Sequence, residues 1–296
     1  SWPSICVYDA FFEELACNTD GDLYYEPLLF YSSYGGMLYV SVQEWGGGGG
    51  PGYDYRLTVY SPLFVSATTG GVVAGVPFAA GDVLAHYDFP DGTERWQMFF
   101  DASDVGIAGN LSSLALHLDG EAWLVFTGNP TVTLSDGRRV TLTPYHLAFF
   151  EVAHPGPITA GRFPGALDFR QDGFTTAGEK LDALTINGSV ALVSTTGTAD
   201  TPWGRLQDED VLELLDGSTV PGLAAEDVIA AEWDWNADEL YLTILGSGVI
   251  DGQRYTQKDI FRVGHQSHQV LGRYWNGPAH HFNYNLDAFE LGWDER

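Results

Sequence analysis

Along most of the chain apolar and polar residues alternate with a period of two, which is the side-chain period of a β-strand. The clearest case is "LDALTINGSVALVS" at 181–194, two alternating runs joined by Asn187-Gly188. That dipeptide accepts the left-handed backbone of a tight turn, so the stretch predicts a β-hairpin. The same design recurs as "LALHLDGEAWLVF" around Asp119-Gly120, as "AAEWDWNADELYLTIL" around Asn236-Ala237, and at 27–42 as "PLLFYSSYGGMLYVSV". The C-terminal "NLDAFELGWDER" opens as the first strand of such a pair and then stops. Helical periodicity is nearly absent, because stretches such as "YDAFFEELA" are too short to compete.

Three short phrases cycle through these strands. Leu-Asp-Ala stands at 181–183 and 286–288, and Asp followed by two apolar residues begins at Asp82, Asp210 and Asp259, with His146 replacing the acid in a fourth copy. An aromatic or apolar strand ending in a polar turn follows as "WQMFFDASDVG", "GALDFRQDGF" and "LGRYWNGPAHHF". The unit is about four short strands over roughly 45–65 residues, a period that predicts β-propeller repeats. The expected fold is all-β, one domain over 1–296 with five blades, the last assembled from both chain ends. "YDAFF" at 8–12 is then a further copy beside the C-terminal strand. A β-sandwich is the alternative, although it leaves the cyclic order of the phrases unexplained. "WGGGGGPGYDY" carries neither the Lys-Ser/Thr of a phosphate loop nor a strand-to-helix step, so 43–80 is expected to be a Gly-rich insertion.

The phrases resemble bacterial extracytoplasmic propeller repeats, through Asp82, Asp210 and Asp259, through Asp182 and Asp287, and through Asp101, Ser103, Asp104 and Gly106. The resemblance spans most of 80–292. It implies a propeller and a secreted, extracellular or periplasmic address, and no particular activity.

Composition refines this picture. With 45% hydrophobic and 18% charged residues the chain is globular, and no run is long and apolar enough to span a membrane. It begins at Ser1, as a mature or trimmed chain would. Forty acidic residues against 13 basic ones give a formal charge of −27, which repels phosphate backbones and excludes nucleic acid as a partner. A salt-adapted or calcium-rich extracellular setting tolerates such a surface, as an acidic, high-Arg proteome also would. Cys6 and Cys17 suit a short-loop disulfide in a secreted protein, with two buried thiols as the other reading.

Candidate chemistry is sparse. Asn18, Asp20 and Asp22 at alternate positions, with Glu26 beyond them, resemble the front half of a calcium loop, but Leu23 stands where its glycine belongs; a solvated acidic turn is the competing reading. The aspartates that begin strands equally suit turns in which the carboxylate accepts backbone N–H groups. His265, His268, His280 and His281 do not converge at strand spacing and are expected to line a loop face. If they meet Arg273 and Trp275, they form a polar and aromatic ligand site. Trp233 and Trp235, interleaved with Glu232 and Asp234, suit a sugar platform, the competing reading being core and rim residues. A glycoside hydrolase needs two converging carboxylates, for which Glu232 and Asp234, with Asp9 and Asp101, are candidates. No serine-nucleophile elbow, zinc-protease helix or cysteine–histidine constellation appears. The sequence therefore predicts a secreted binding or scaffold module, calcium-stabilised, for a glycan or an extracellular protein. A carbohydrate-active hydrolase using Glu232 and Asp234 is the alternative.

Overall fold

Short alternating runs separated by Asx- and Gly-containing turns give strands of three to nine residues and, among the described residues, no α-helix. The structure, a computed structural model, describes residues 3–8, 14–18, 39–44, 61–116, 121–187, 190–202 and 204–292. The chain divides into two compact units, 1–59 with 118–120 and 60–117 with 121–296. In the first, β1 (Pro3–Tyr8) is the middle strand between β2 (Glu14–Asn18) and β3 (Tyr39–Glu44). Its register sets Cys6 directly opposite Cys17. The "YDAFF" copy falls mostly outside the described residues.

The second unit repeats one antiparallel plan. Strand β4 (Leu63–Ala67) is followed by a small hairpin, β5 (Gly71–Val73) and β6 (Val76–Phe78), then by β7 (Val83–Asp88) and β8 (Glu94–Phe100). Next come β9 (Leu111–Leu116), β10 (Glu121–Phe126), the hairpin β11 (Thr131–Thr133) and β12 (Arg139–Thr141), β13 (His146–His154) and β14 (Ala160–Asp168). The third copy has β15 (Leu181–Asn187), β16 (Val190–Thr195) and the hairpin β17 (Ala199–Thr201) and β18 (Gly204–Leu206). The fourth has β19 (Val228–Asp234), β20 (Glu239–Ile244), the hairpin β21 (Ser247–Ile250) and β22 (Gln253–Thr256), β23 (Asp259–Gly264) and β24 (Val270–Asn276). Finally β25 (Leu286–Leu291) returns to pair with β4. The sheets run β25-β4-β7-β8, β9-β10-β13-β14, β15-β16 and β19-β20-β23-β24.

Among the described residues the plan thus occurs four times rather than five, and in four small sheets rather than the two broad ones of a sandwich. The third copy is abridged. Leu212 N–H bonds to Val193 beside β16, after which the chain bridges Val211 to Leu215 and turns away without a fourth strand. That omission explains why Asp82, His146, Asp210 and Asp259 are spaced by 64, 64 and then only 49 residues. The C-terminal strand pairs with 63–67. Within the stretch 43–80, β4 is a buried inner strand paired with β25 and β7, while β5 and β6 form a separate hairpin. The polyglycine stretch itself lies outside the described residues.

Packing follows the same order. Trp123, Val125 and Leu147 of the second sheet meet Leu181, Leu184 and Val193 of the third in one core cluster. Ala183 and Leu192 meet Ala231, Leu240 and Leu242 in the next, and Ala230, Tyr241 and Ile260 meet Val65, Leu84 and Phe289 in the one after. Phe100 of the first sheet touches Phe150 of the second at 5.3 Å. The first strands of the four copies also neighbour one another: β15 packs against β9 and β19, and β25 against the same two.

Candidate functional site

The recurring acids divide by what they hold. Asp82 accepts the Ala79 and Ala102 N–H groups at 2.7 and 3.0 Å, and Asp210 accepts those of Gln207 and Gly217 at 2.8 and 2.9 Å. Asp259 takes Thr256 N–H at 2.8 Å and Asn276 at 2.5 Å. His146, the substitute, accepts Thr143 N–H through Nδ1 at 3.0 Å, three residues back as in the other copies. The third phrase supplies helix caps: Asp101 and Asp168 cap short 3-10 turns that close at Gly106 and Gly173 in the left-handed region, and Asn276 caps a third that closes at His281. Asp101 thus accepts both the Ser103 N–H and its hydroxyl, as the cap of its turn.

The Leu-Asp-Ala acids are different. Asp182 and Asp287 are each the extra residue of a β-bulge in the first strand of a copy, opposite β16 and β4. Ile229 and Ser112 occupy the same bulge in β19 and β9. Burial, then the neighbouring Asp227 carboxyl, raises Asp182 well above the ordinary carboxylate range. Burial also raises Asp227 to about 6 and Asp287 to about 7.

The residues expected to bind ligand do not converge. Trp275 is buried among Trp96, His86 and Phe282. Arg273 is pinned by Asp259 at 3.1 Å, by the Arg254 carbonyl at 2.8 Å and over the Tyr255 ring at 5.3 Å. Glu232 is buried and accepts the Thr185 hydroxyl at 3.2 Å, while Asp234 accepts Asn236 and Ala237 N–H at the hairpin turn. Trp233 packs on the core and lies 5.4 Å from the His265 ring, whose Nδ1 meets Asp238 at 2.8 Å. Trp235 opens the same turn and is 59% exposed, the one indole among the described residues in that state. Of the late histidines, His265 thus joins Trp233, whereas His280 meets Trp275.

His280 ends the 3-10 turn after β24 and reaches Glu94 on β8, Nδ1 to Oε1 at 2.8 Å. Register places His86 on β7 opposite Trp96, with Glu94 two residues from that partner, so His86 Nε2 lies 3.5 Å from Glu94 Oε2. His86 stacks on Trp96 at 4.4 Å and His280 lies parallel to Trp275 at 5.7 Å. Burial, then His280, lowers the His86 pKa. For Glu94 burial acts upward, but the hydrogen bond and charge of His280, with His86, bring the carboxyl below its usual value. Sequence reasoning passed over His86 and Glu94. The alternation of "LAHYD" gives a histidine on a strand, but only pairing with β8 and packing of the adjacent sheet identify its neighbours.

No protein-family model matches this chain, and no curated protein matches it. Among solved structures it is similar to a protein of unknown function from Bacteroides caccae, at 10% identity and a TM-score of 0.35, over 80% of this chain and 100% of that one. It is also similar to the extracellular domain of a putative one component system from B. thetaiotaomicron, at 9% identity and a TM-score of 0.26, over 67% of this chain and 25% of that one. Neither likeness carries an argument about fold or activity. The calcium set lies beyond the structure's description: Asp20, Asp22 and Glu26 fall outside the described residues, and Asn18 is described only as the backbone end of β2.

Proposed function

We propose that the second unit is a four-bladed β-propeller serving as a secreted binding module for a glycan. Support for the ring is the mutual packing of the four first strands, with each core between successive sheets and β25 joining β4. The observation that carries the binding reading is Trp235, an exposed indole on a turn beside Trp233, His265 and Asp238. A sugar stacks its apolar face on an indole while neighbouring polar groups bond its hydroxyls. The hydrolase alternative loses ground because Glu232 is buried against Thr185 and Asp234 serves the turn. The cysteines facing each other across β1 and β2 support the Cys6–Cys17 disulfide within this proposal. Calcium at Asn18, Asp20, Asp22 and Glu26 enters it on sequence grounds alone.

A polysaccharide panel scored for retention and for reducing-end release tests the reading. Retention by the native protein that is lost in Trp235→Ala and kept in Glu232→Gln is the expected result. No retention on any glycan, or retention indifferent to Trp235→Ala, sinks it. Sugar release that disappears in Glu232→Gln replaces it with the hydrolase.

A further inference from the structure

Three side chains from separate elements, His86, Glu94 and His280, each present one ligand atom, and these atoms all lie within 4.8 Å of one another. A simple hydrogen-bonded bridge, with Glu94 joining two imidazoles, accounts for only part of the arrangement. Glu94 satisfies His280, but His86 Nε2, on a residue only 2% exposed, has no hydrogen bond of normal length, since Glu94 Oε2 stands 3.5 Å away. Leaving such an atom unpaired costs about 1–3 kcal/mol, so the position calls for a partner. A cation held between the three groups supplies it. We infer that His86, Glu94 and His280 bind one divalent transition-metal ion.

The donor set selects the class of ion. Two imidazole nitrogens and one carboxylate oxygen suit zinc, cobalt, nickel or ferrous iron, whereas calcium and magnesium call for oxygen donors throughout. Trp96 and Trp275 position the donors by stacking on the two imidazoles. Glu94 and His280 are partly exposed, which leaves the outer coordination positions open to water or to a ligand atom from solution. The site joins the sheet of β7 and β8 to that of β24, so bound metal also clasps two neighbouring sheets. The inference is independent of the reading of Trp235.

Cobalt(II) is the probe, titrated into full-length protein without a histidine tag, in salt sufficient to suppress loose binding to the acidic surface. The expected result is one equivalent bound, with visible absorption of nitrogen-coordinated cobalt and a rise in melting temperature. Glu94→Gln and His280→Ala are each expected to weaken binding at least about tenfold, and His265→Ala to leave it unchanged. Circular dichroism of the metal-free variants checks that they are folded; because Glu94 and His280 sit at the surface, at least one is expected to be. If a folded variant binds cobalt as the native protein does, or if the native protein takes up no stoichiometric cobalt, the inference is overturned.

Discussion

A carboxylate in this protein is defined by the donors within its reach. Asp82 holds two backbone N–H groups, one at the turn before β7 and one at the 3-10 turn after β8. Each hydrogen bond to a charged group contributes about 1.5–3 kcal/mol. Asp82→Ala should therefore cost about 3 kcal/mol or more in denaturant melts, and a loss below 1 kcal/mol would show that solvent replaces the carboxylate. Burial raises Asp182, Asp227 and Asp287, as it raises Asp82 in spite of the two N–H donors that act the other way there. The folded protein keeps protons that the unfolded chain releases near pH 4, so this contribution is full below pH 4 and fades as pH climbs toward about 6 to 7. The slope is at most about 1.4 kcal/mol per pH unit per group. Melting temperature should fall between pH 5 and pH 8, and Asp287→Asn together with Asp227→Asn should flatten that fall. A native profile level across this range contradicts the assignment, as does a slope unchanged in the double variant.

At the scale of elements, the protein repeats a backbone device more faithfully than a residue. The bulge in the first strand of each copy holds Ser112, Asp182, Ile229 or Asp287, so geometry persists where chemistry varies. The turn before Leu223 illustrates the same constraint. Gly222 sits at φ +90°, and a Cβ there would stand 2.2 Å from the Val249 carbonyl oxygen. Gly222→Ala therefore meets both left-handed strain and a backbone clash with the β21–β22 hairpin, and should destabilise by roughly 2 kcal/mol or more. A thermal melt matching that of the native protein would show that the hairpin moves aside without cost.

At the scale of the molecule, the last strand and the net charge dominate. Residues of β25 fill the core between the first and last sheets, and Phe289 is 1% exposed there. Phe289→Ala should cost about 3–5 kcal/mol, as buried aromatic deletions do. A loss under 1 kcal/mol would mean that β25 is not integral to that core. A formal charge of −27 makes self-repulsion a standing cost that counterions reduce. Sodium chloride should raise the melting temperature, and calcium at matched ionic strength should raise it further if 18–26 binds the ion. Equal responses would leave screening as the whole effect.

Alternation of period two determined the strand pairs β9–β10, β15–β16 and β19–β20 by itself, because it acts between near neighbours. The repeated Leu-Asp-Ala and Asp-apolar phrases likewise marked equivalent strand positions before any pairing was known. The number of copies was not determined, since an abridged third copy and a closing strand paired with 63–67 are decided by contacts between distant segments. The fate of each acid was local wherever a carboxylate met N–H groups a few residues away, and so the turn reading of the strand-starting aspartates was available from the chain. The His86–Glu94–His280 cluster was not. Its members stand eight and 186 residues apart, and only the register of β7 with β8 and the packing of two sheets bring their ligand atoms together.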